Sequence, residues 1–283
     1  MDSVLGAAPP DKQHWRERGA ALALGRFYRK RRRLLYTVLS IVLGLAAWEL
    51  AAFNTSRLVM ATLQSIWDAF TSGVSSGTLG TDVAATLKAF AIGLVIASVG
   101  GVLIGLLMAT NQVIFDLLDP WVSALRSTPL ITVAPLFIVE FGITTTAKVA
   151  VVILVAVFPV IINTADGIRT ADRALIEAAY AFGASKIQVF RSVLIPSAMP
   201  FIVSGLRLAI SLGLVGEVVA EFFGAQAGLG FMVFQASQTF DTGTVFLGVF
   251  ILAAIGVILT KAMYWLEHRI APWREFDIGA TRH

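Results

Sequence analysis

The chain has 283 residues, 57% hydrophobic and 14% charged, with a net charge of +4 and a mean hydropathy of +0.80. Soluble globular domains run at about 45–50% apolar and about 25% charged, and the gap excludes an ordinary soluble enzyme, a disordered chain and a nucleic-acid binder. The chain has no cysteine, so disulfides and thiolate metal sites are impossible. His14, His268 and His283 lie near the two ends, so no histidine metal cluster is expected.

The chain opens on a basic tail, residues 1–33, ending Arg-Lys-Arg-Arg-Arg at Arg29 to Arg33. The apolar run from Leu34 to Phe53 is long enough for ~30 Å of hydrocarbon. It starts too late and runs too long for a cleaved leader, so it is expected to be an uncleaved first span. Residues 58–70 are too short and mixed to cross and predict an amphipathic helix lying on one face. Further spans are expected at Val83 to Ala109, Leu117 to Phe141, Ala147 to Ile162, Pro200 to Val219 and Val245 to Leu266. Pro120, Pro129 and Pro135 interrupt the third of the six. The expected fold is all-α and polytopic, with a membrane domain over residues 34–266 and a tail over 267–283. A loop of helical character, residues 163–197, joins spans four and five; a loop of that length in a compact membrane protein usually carries function.

Lysine and arginine set the orientation. Nine precede the first span. Four lie in the 163–197 loop (Arg169, Arg173, Lys186, Arg191), and four more end the chain (Lys261, Arg269, Arg274, Arg282). The other face has only Arg57, Lys88 and Lys148. Both termini of this multi-pass chain are therefore expected in the cytoplasm. The aromatic residues Trp48, Phe53 and Trp67 at one interface, and Trp265 and Trp273 at the other, fit aromatic belts. In span two Ala97, Gly101, Gly105 and Ala109 repeat every fourth residue, a stripe suited to close helix packing.

Arg126 and Arg207 fall inside spans, where a charge costs ~2.5–3.5 kcal/mol and must face protein or water. Glu217 and Glu221 stand one turn apart on one face. Three readings stay open: an arginine pairs with a glutamate to tie spans together; an arginine meets an anionic solute in a pathway that also involves Ser127, Thr128, Glu217 and Glu221; or an arginine, Arg126 being nearer a span end, snorkels to the interface. Span three's prolines break backbone hydrogen bonding, which is tolerated where a cavity is lined; Ser127, Thr128 and Thr132 either supply polar contacts there or bond back to their own helix.

No Gly-Lys dipeptide occurs, which excludes a P-loop. No Gly-x-Ser-x-Gly elbow or His-Glu-x-x-His motif appears either, so no catalytic residue is expected and transport or anchoring remains. Glu177 to Pro196 reads EAAYAFGASKIQVFRSVLIP. Ala178 and Ala179 keep one face small, Glu177 offers a carboxylate, Gly183 permits a positive-φ turn, and Pro196 is expected to end the cytoplasmic segment. This pattern resembles the EAA loop of bacterial ABC importer permeases. The likeness runs from about Trp48 to Trp273 and is nearest the nitrate, taurine, aliphatic-sulfonate and vitamin-precursor branch. Trp48-Glu49, Thr86-Leu87 with Phe90 and Gly93, and Leu125 to Leu130 carry it. So do Ala134-Pro135-Leu136, Phe141-Gly142, Gly205-Leu206-Arg207, Ala220-Glu221, Gly228-Leu229-Gly230, Leu266-Glu267 and Pro272-Trp273. Val59 to Thr62, Glu140 and the Val-Leu-Ile-Pro ending depart from that branch's usual residues.

The resemblance implies a permease subunit that is no enzyme itself. Its partners would be a second copy of the chain, two cytoplasmic ATPase subunits holding ATP and Mg, and a periplasmic or lipid-anchored substrate-binding protein. Glu177, Ala178, Ala179, Gly183 and Pro196 would couple to the ATPase through a short helix. The arginines lean slightly toward an anionic solute. The rivals are an ion-gradient-driven secondary transporter, which should show inverted repeats and coupling carboxylates, and a non-transporting anchor.

Overall fold

A computed structural model describes residues 35–56 and 58–270, together with Arg32. The rest of the basic tail, Arg57 and residues 271–283, with Pro272 and Trp273, lie outside the described residues. The chain forms two compact units, residues 1–62 and 63–283.

The first unit contains α1 (Leu35–Asn54), 20 apolar residues as expected. Beyond it the chain turns at Ser56, whose carbonyl accepts from Val59 and Met60, and Trp48 Nε1 donates to Ala61 O at 3.0 Å. That turn delays the amphipathic helix, which begins at residue 63 rather than 58.

The second unit opens with this helix, α2 (Leu63–Ser75), followed by α3 (Thr78–Thr110) and α4 (Gln112–Ser127). After a 3-10 turn (Leu130–Val133) come α5 (Ala134–Phe141), α6 (Thr145–Arg169), α7 (Arg173–Ala181) and α8 (Lys186–Val189). A π turn (Phe190–Leu194) leads into α9 (Ile195–Gly224), then α10 (Leu229–Gln238) and α11 (Thr242–Ile270). Among the described residues five helices are long and apolar enough to cross a bilayer: α1, α3, α6, the continuous 39-residue run Lys186–Gly224, and α11.

The core is three helices in close contact, and glycine sets the spacing. Gly93 of α3 rests on Val149 and Val152 of α6, Gly101 on Val157 and Val160, and Gly105 on Ile161 and Thr164. A Cβ at Gly101 would lie 2.7 Å from Val160 Cβ, so only a hydrogen fits. The expected small-residue stripe is thus packing inside one subunit. Contacts advance in the same direction along both chains, so α3 and α6 run parallel. In contrast, Gly205, Gly213 and Gly216 of α9 meet α6 at Pro159, at Ala156 and at Val155, an antiparallel register.

The parallel pair decides the third span. For α6 to run beside α3 in the same direction, residues 111–144 must return along the length of the pair, the course expected of the third span. They do so as α4 and α5, not as one helix. Pro129 forces Thr128 into an extended conformation (φ −86°, ψ 138°) and ends α4. Pro135 starts α5 from its first turn. Pro120 lies inside α4 without ending it. Ser127 and Thr128 hydroxyls donate back to Ser123 O and Ala124 O, both at 3.0 Å, and Thr132 to Pro129 O at 2.8 Å. The hydroxyls therefore bond within their own segment.

Two boundaries need correction. The joining loop is shorter than residues 163–197, because α6 persists to Arg169 and the next spanning run begins at Lys186, with α7 between them. Arg169 there lies over the Phe115 ring, 3.5 Å from its centroid. Pro196 does not end the segment either; the helix runs through it. Ile195 N–H reaches back five residues to Phe190 O, and this wider turn moves the carbonyl that a proline ring would otherwise strike.

Candidate functional site

Three features of the second unit carry chemistry. The first is α7 with its turn. Asp172 caps the helix by accepting from Ala174 N–H at 2.8 Å. The other end closes as a Schellman motif: Ala184 N–H donates to Ala179 O at 3.0 Å and Gly183 N–H to Tyr180 O at 2.9 Å. Gly183 has φ +81°, a conformation glycine alone adopts cheaply. Ser185 and Gln188 then form a capping box that starts α8. Nothing on α7 is buried. Glu177 and Ala178 are exposed, Ala179 is half-buried, and Phe182 is 91% exposed beside exposed Leu175, Tyr180 and Ile187. A short rigid helix offering apolar side chains to nothing in its own chain is shaped to meet another protein.

The second feature is a buried polar knot at the opposite end of the bundle. Glu217 and Glu221 on α9 share one face, as their spacing predicts, and both are fully buried. Lys148 of α6, also buried, lies 3.0 Å from Glu221 Oε1 and 3.4 Å from Glu217 Oε1. Thr86 of α3 donates to Glu221 Oε1 at 2.9 Å. Three consecutive backbone N–H groups at the start of α10 point into this cluster. Gly228 donates to Asp82 Oδ1 at 2.9 Å, Leu229 to Thr86 Oγ1 at 2.8 Å and Gly230 to Glu221 Oε2 at 2.8 Å. Donors left over at a helix start are thereby satisfied, and α3, α6, α9 and α10 are tied at one point. Gly228 has φ +139°, and a side chain there would overlap the Glu221 carboxylate. Glu217 is the exception in the knot, since neither carboxylate oxygen accepts a hydrogen bond.

This corrects the expected pairing. The cation facing Glu217 and Glu221 is Lys148, not an arginine, and Lys148 is no surface residue of the outer face. Position near a span end suggested an interfacial lysine; the sequence offered no sign that α10 folds back over it. Arg207 instead pairs with Glu267 of α11 and lies over the Tyr264 ring, 3.9 Å from its centroid. That is the structural reading of Arg207 with a different carboxylate. Arg207→Ala and Glu267→Ala are each expected to lower the thermal midpoint of the purified complex. The double variant should lose less than the sum of the two, as a double-mutant cycle on unfolding would measure.

The third feature is a cavity of about 540 Å³ between the break in span three and helices α6 and α9. Arg126, Thr128 and Asn163 bring polarity to walls otherwise formed by Pro129, Val155, Phe158, Pro159, Ile162, Leu208 and Leu212. Neither glutamate of the knot lines it, and Arg207 does not either. At the α10 end of the bundle lies a second cavity of about 820 Å³, lined among others by Asp68, Asp82, Asp241 and several serines and threonines.

Residues 101–272 match the family of binding-protein-dependent transport system inner membrane components. The chain is 33% identical to the formylaminopyrimidine transport permease protein ThiX of Halalkalibacterium halodurans over 85% of its length and 96% of that protein's. It is 32% identical to the taurine transport system permease protein TauC of Escherichia coli, covering 71% of this chain and 73% of that one. A subunit of the MetNI methionine ABC transporter, solved in inward-facing conformations, shares its fold at 22% identity and a TM-score of 0.55, over 68% of this chain and 93% of that one. The chain belongs to the inner-membrane components of binding-protein-dependent transport systems. It is a permease subunit of an ABC importer of small solutes, a transport component and not an enzyme. That membership sets aside both the ion-driven carrier and the inert anchor. It also implies ATPase and substrate-binding partners.

Proposed function

We propose that this permease works as a homodimer in the inner membrane with both termini and α7 in the cytoplasm. In this reading α7 is the coupling helix. Two separate ATPase subunits, holding ATP and Mg, receive it in a cleft: Glu177 faces a cation or amide donor, Ala178 and Ala179 allow close approach, and Gly183 fixes the exit angle. Pro196 stands just beyond the π turn at the root of the following span, where it sets that helix's direction. A substrate-binding protein docks at the opposite end, where α2 and α10 lie. Solute passes through the membrane beside the cavity that Arg126 and Thr128 line. Ser127 holds the broken helix of that wall through its bond to Ser123 O.

The observation that carries this reading is α7 itself: a nine-residue helix with fixed caps and no buried residue, inserted between two core helices. The lysine and arginine distribution supports its cytoplasmic side. The absence of native cysteine makes the test direct. A benzophenone maleimide on Ala178→Cys is expected to cross-link the ATPase subunit on illumination of the assembled complex. The same probe on Ser237→Cys, at the α10 end, is expected to give no such adduct. A complex that retains its ATPase yet yields no adduct from position 178 would end the proposal.

A further inference from the structure

The run Lys186–Gly224 carries one residue more than an unbroken α-helix would need. Downstream its inward positions step by four, from Leu194 to Ala198 to Ile202; back from Leu194 to buried Val189 the step is five. The surplus is taken up in the π turn Phe190–Leu194, where Ile195 N–H reaches Phe190 O. Packing does not call for it. Arg191 and Ser192 are exposed, and a helix lacking one of them would present the same side chains to the bundle. Single-turn π bulges are rare, and they are places where helices bend. The two sides of this one differ. Just beyond it α9 is clamped to the end of α6: a Cβ on Gly167 would lie 2.7 Å from Phe201 Cβ and 3.1 Å from Ala198 Cα. Before it, α8 is a single turn of four residues and nothing on α7 is buried. The loose turn therefore stands at the border between a segment fixed to the core and one that offers its side chains outward. Pro196 is compatible with the turn and not with its closure, because an α-helix would bring the Ser192 carbonyl against the ring.

We propose that the π turn Phe190–Leu194 is a flexible joint, through which α7 and α8 swing with the ATPase while α9 stays packed on α6. This rests on the reading of α7 as the coupling helix. A joint absorbs a change of angle in a few residues at the end of an element. Here the extra residue lets the backbone open without prying Phe201 from Gly167.

Removing the surplus residue tests this. Deletion of Ser192 together with Pro196→Ala closes an α-helix with the same inward faces. The chain's lack of cysteine makes Leu212→Cys, in the wall of the 540 Å³ cavity, the permease's single thiol. In the complete complex with its ATPase subunits, in nanodiscs, that thiol is labelled with N-ethylmaleimide in the presence and absence of ATP, Mg and vanadate. Nucleotide is expected to change the rate about tenfold with the turn intact, as exchange of a minor for a major state gives, and less than about twofold in the shortened chain. The shortened chain should keep its thermal midpoint and its benzophenone adduct from Ala178→Cys. Pro196→Ala alone leaves the surplus in place and should keep the response. A shortened chain that still responds in full overturns the joint. So does a lowered midpoint, which would make the turn a packing element, and so does a lost adduct, which would make it a device for aiming α7. Equal loss in Pro196→Ala alone assigns the effect to the proline and overturns the joint as well. An intact chain that is cross-linked yet shows no nucleotide response overturns the joint alone. An intact complex without the adduct overturns the reading of α7, and this proposal falls with it.

Discussion

Glu221→Ala is expected to abolish accumulation of the folded permease, whereas Glu217→Gln, one helical turn away, is expected to leave it nearly intact. The two carboxylates have the same burial and the same lysine neighbour. Their hydrogen bonds separate them. Glu221 accepts from Thr86, Lys148 and the Gly230 N–H, and its loss leaves two buried donors without an acceptor as well as breaking a buried ion pair. Lys148 keeps only the more distant Glu217 at 3.4 Å, each orphaned donor costs about 1–3 kcal/mol, and the emptied carboxylate site adds a buried cavity. Together these approach the whole stability of an ordinary domain. Glu217 accepts nothing, and its replacement by glutamine keeps its shape and leaves Lys148 with one carboxylate. Membrane-extracted protein measured by size-exclusion chromatography with fluorescence detection, before and after stepwise heating, would distinguish them. Equal loss in both variants would mean that net charge, not the hydrogen-bond pattern, governs the knot.

Gly183→Pro is expected to leave the bundle folded and stop transport. Proline holds φ near −65° and lacks an N–H. Position 183 sits at φ +81°, and its N–H closes the turn on Tyr180 O. The turn cannot survive the change. Yet α7 contributes nothing to the buried core, so thermal stability should fall by only a few degrees. Uptake into proteoliposomes should drop more than tenfold, and stimulation of ATP hydrolysis by the binding protein should vanish with it. Glu177→Lys, which reverses one exposed charge and keeps the helix, should weaken ATPase docking in pull-downs and lose uptake to a lesser degree. Normal uptake by the proline variant would remove α7 from the coupling path.

Much of this architecture was legible in the residues. Apolar run lengths gave the spans, and the spacing Glu177-Ala178-Ala179 to Gly183 located a helix and its positive-φ exit. The two prolines at 129 and 135 announced a break, though not that one would end a helix and the other begin the next. Proline 196 misled, because a wider turn upstream removed the conflict that usually stops a helix. The knot was only half readable. The four-residue step from 217 to 221 put both glutamates on one face, but Lys148 looked like an ordinary interfacial cation. Its true partners include backbone N–H groups of Gly228 to Gly230, and no side-chain pattern encodes where a backbone donor will point. Arg207 finding Glu267 and not a nearer acid is likewise a matter of which helix lies opposite: α11 packs on α9, where Gly256 faces Leu214.

The uninterrupted 39 residues from Lys186 to Gly224 amount to about 58 Å of helix at 1.5 Å per residue, nearly twice the hydrocarbon thickness. One strut therefore begins beside the α7 turn and finishes beside Glu221, with its single loosened coil at Phe190–Leu194. A tilt imposed at its base would reach the far rim as a larger sweep, in the manner of an oar pivoting in its rowlock. Stiffening that loosened coil should then alter how far the distant rim travels for a given stroke, without touching either end.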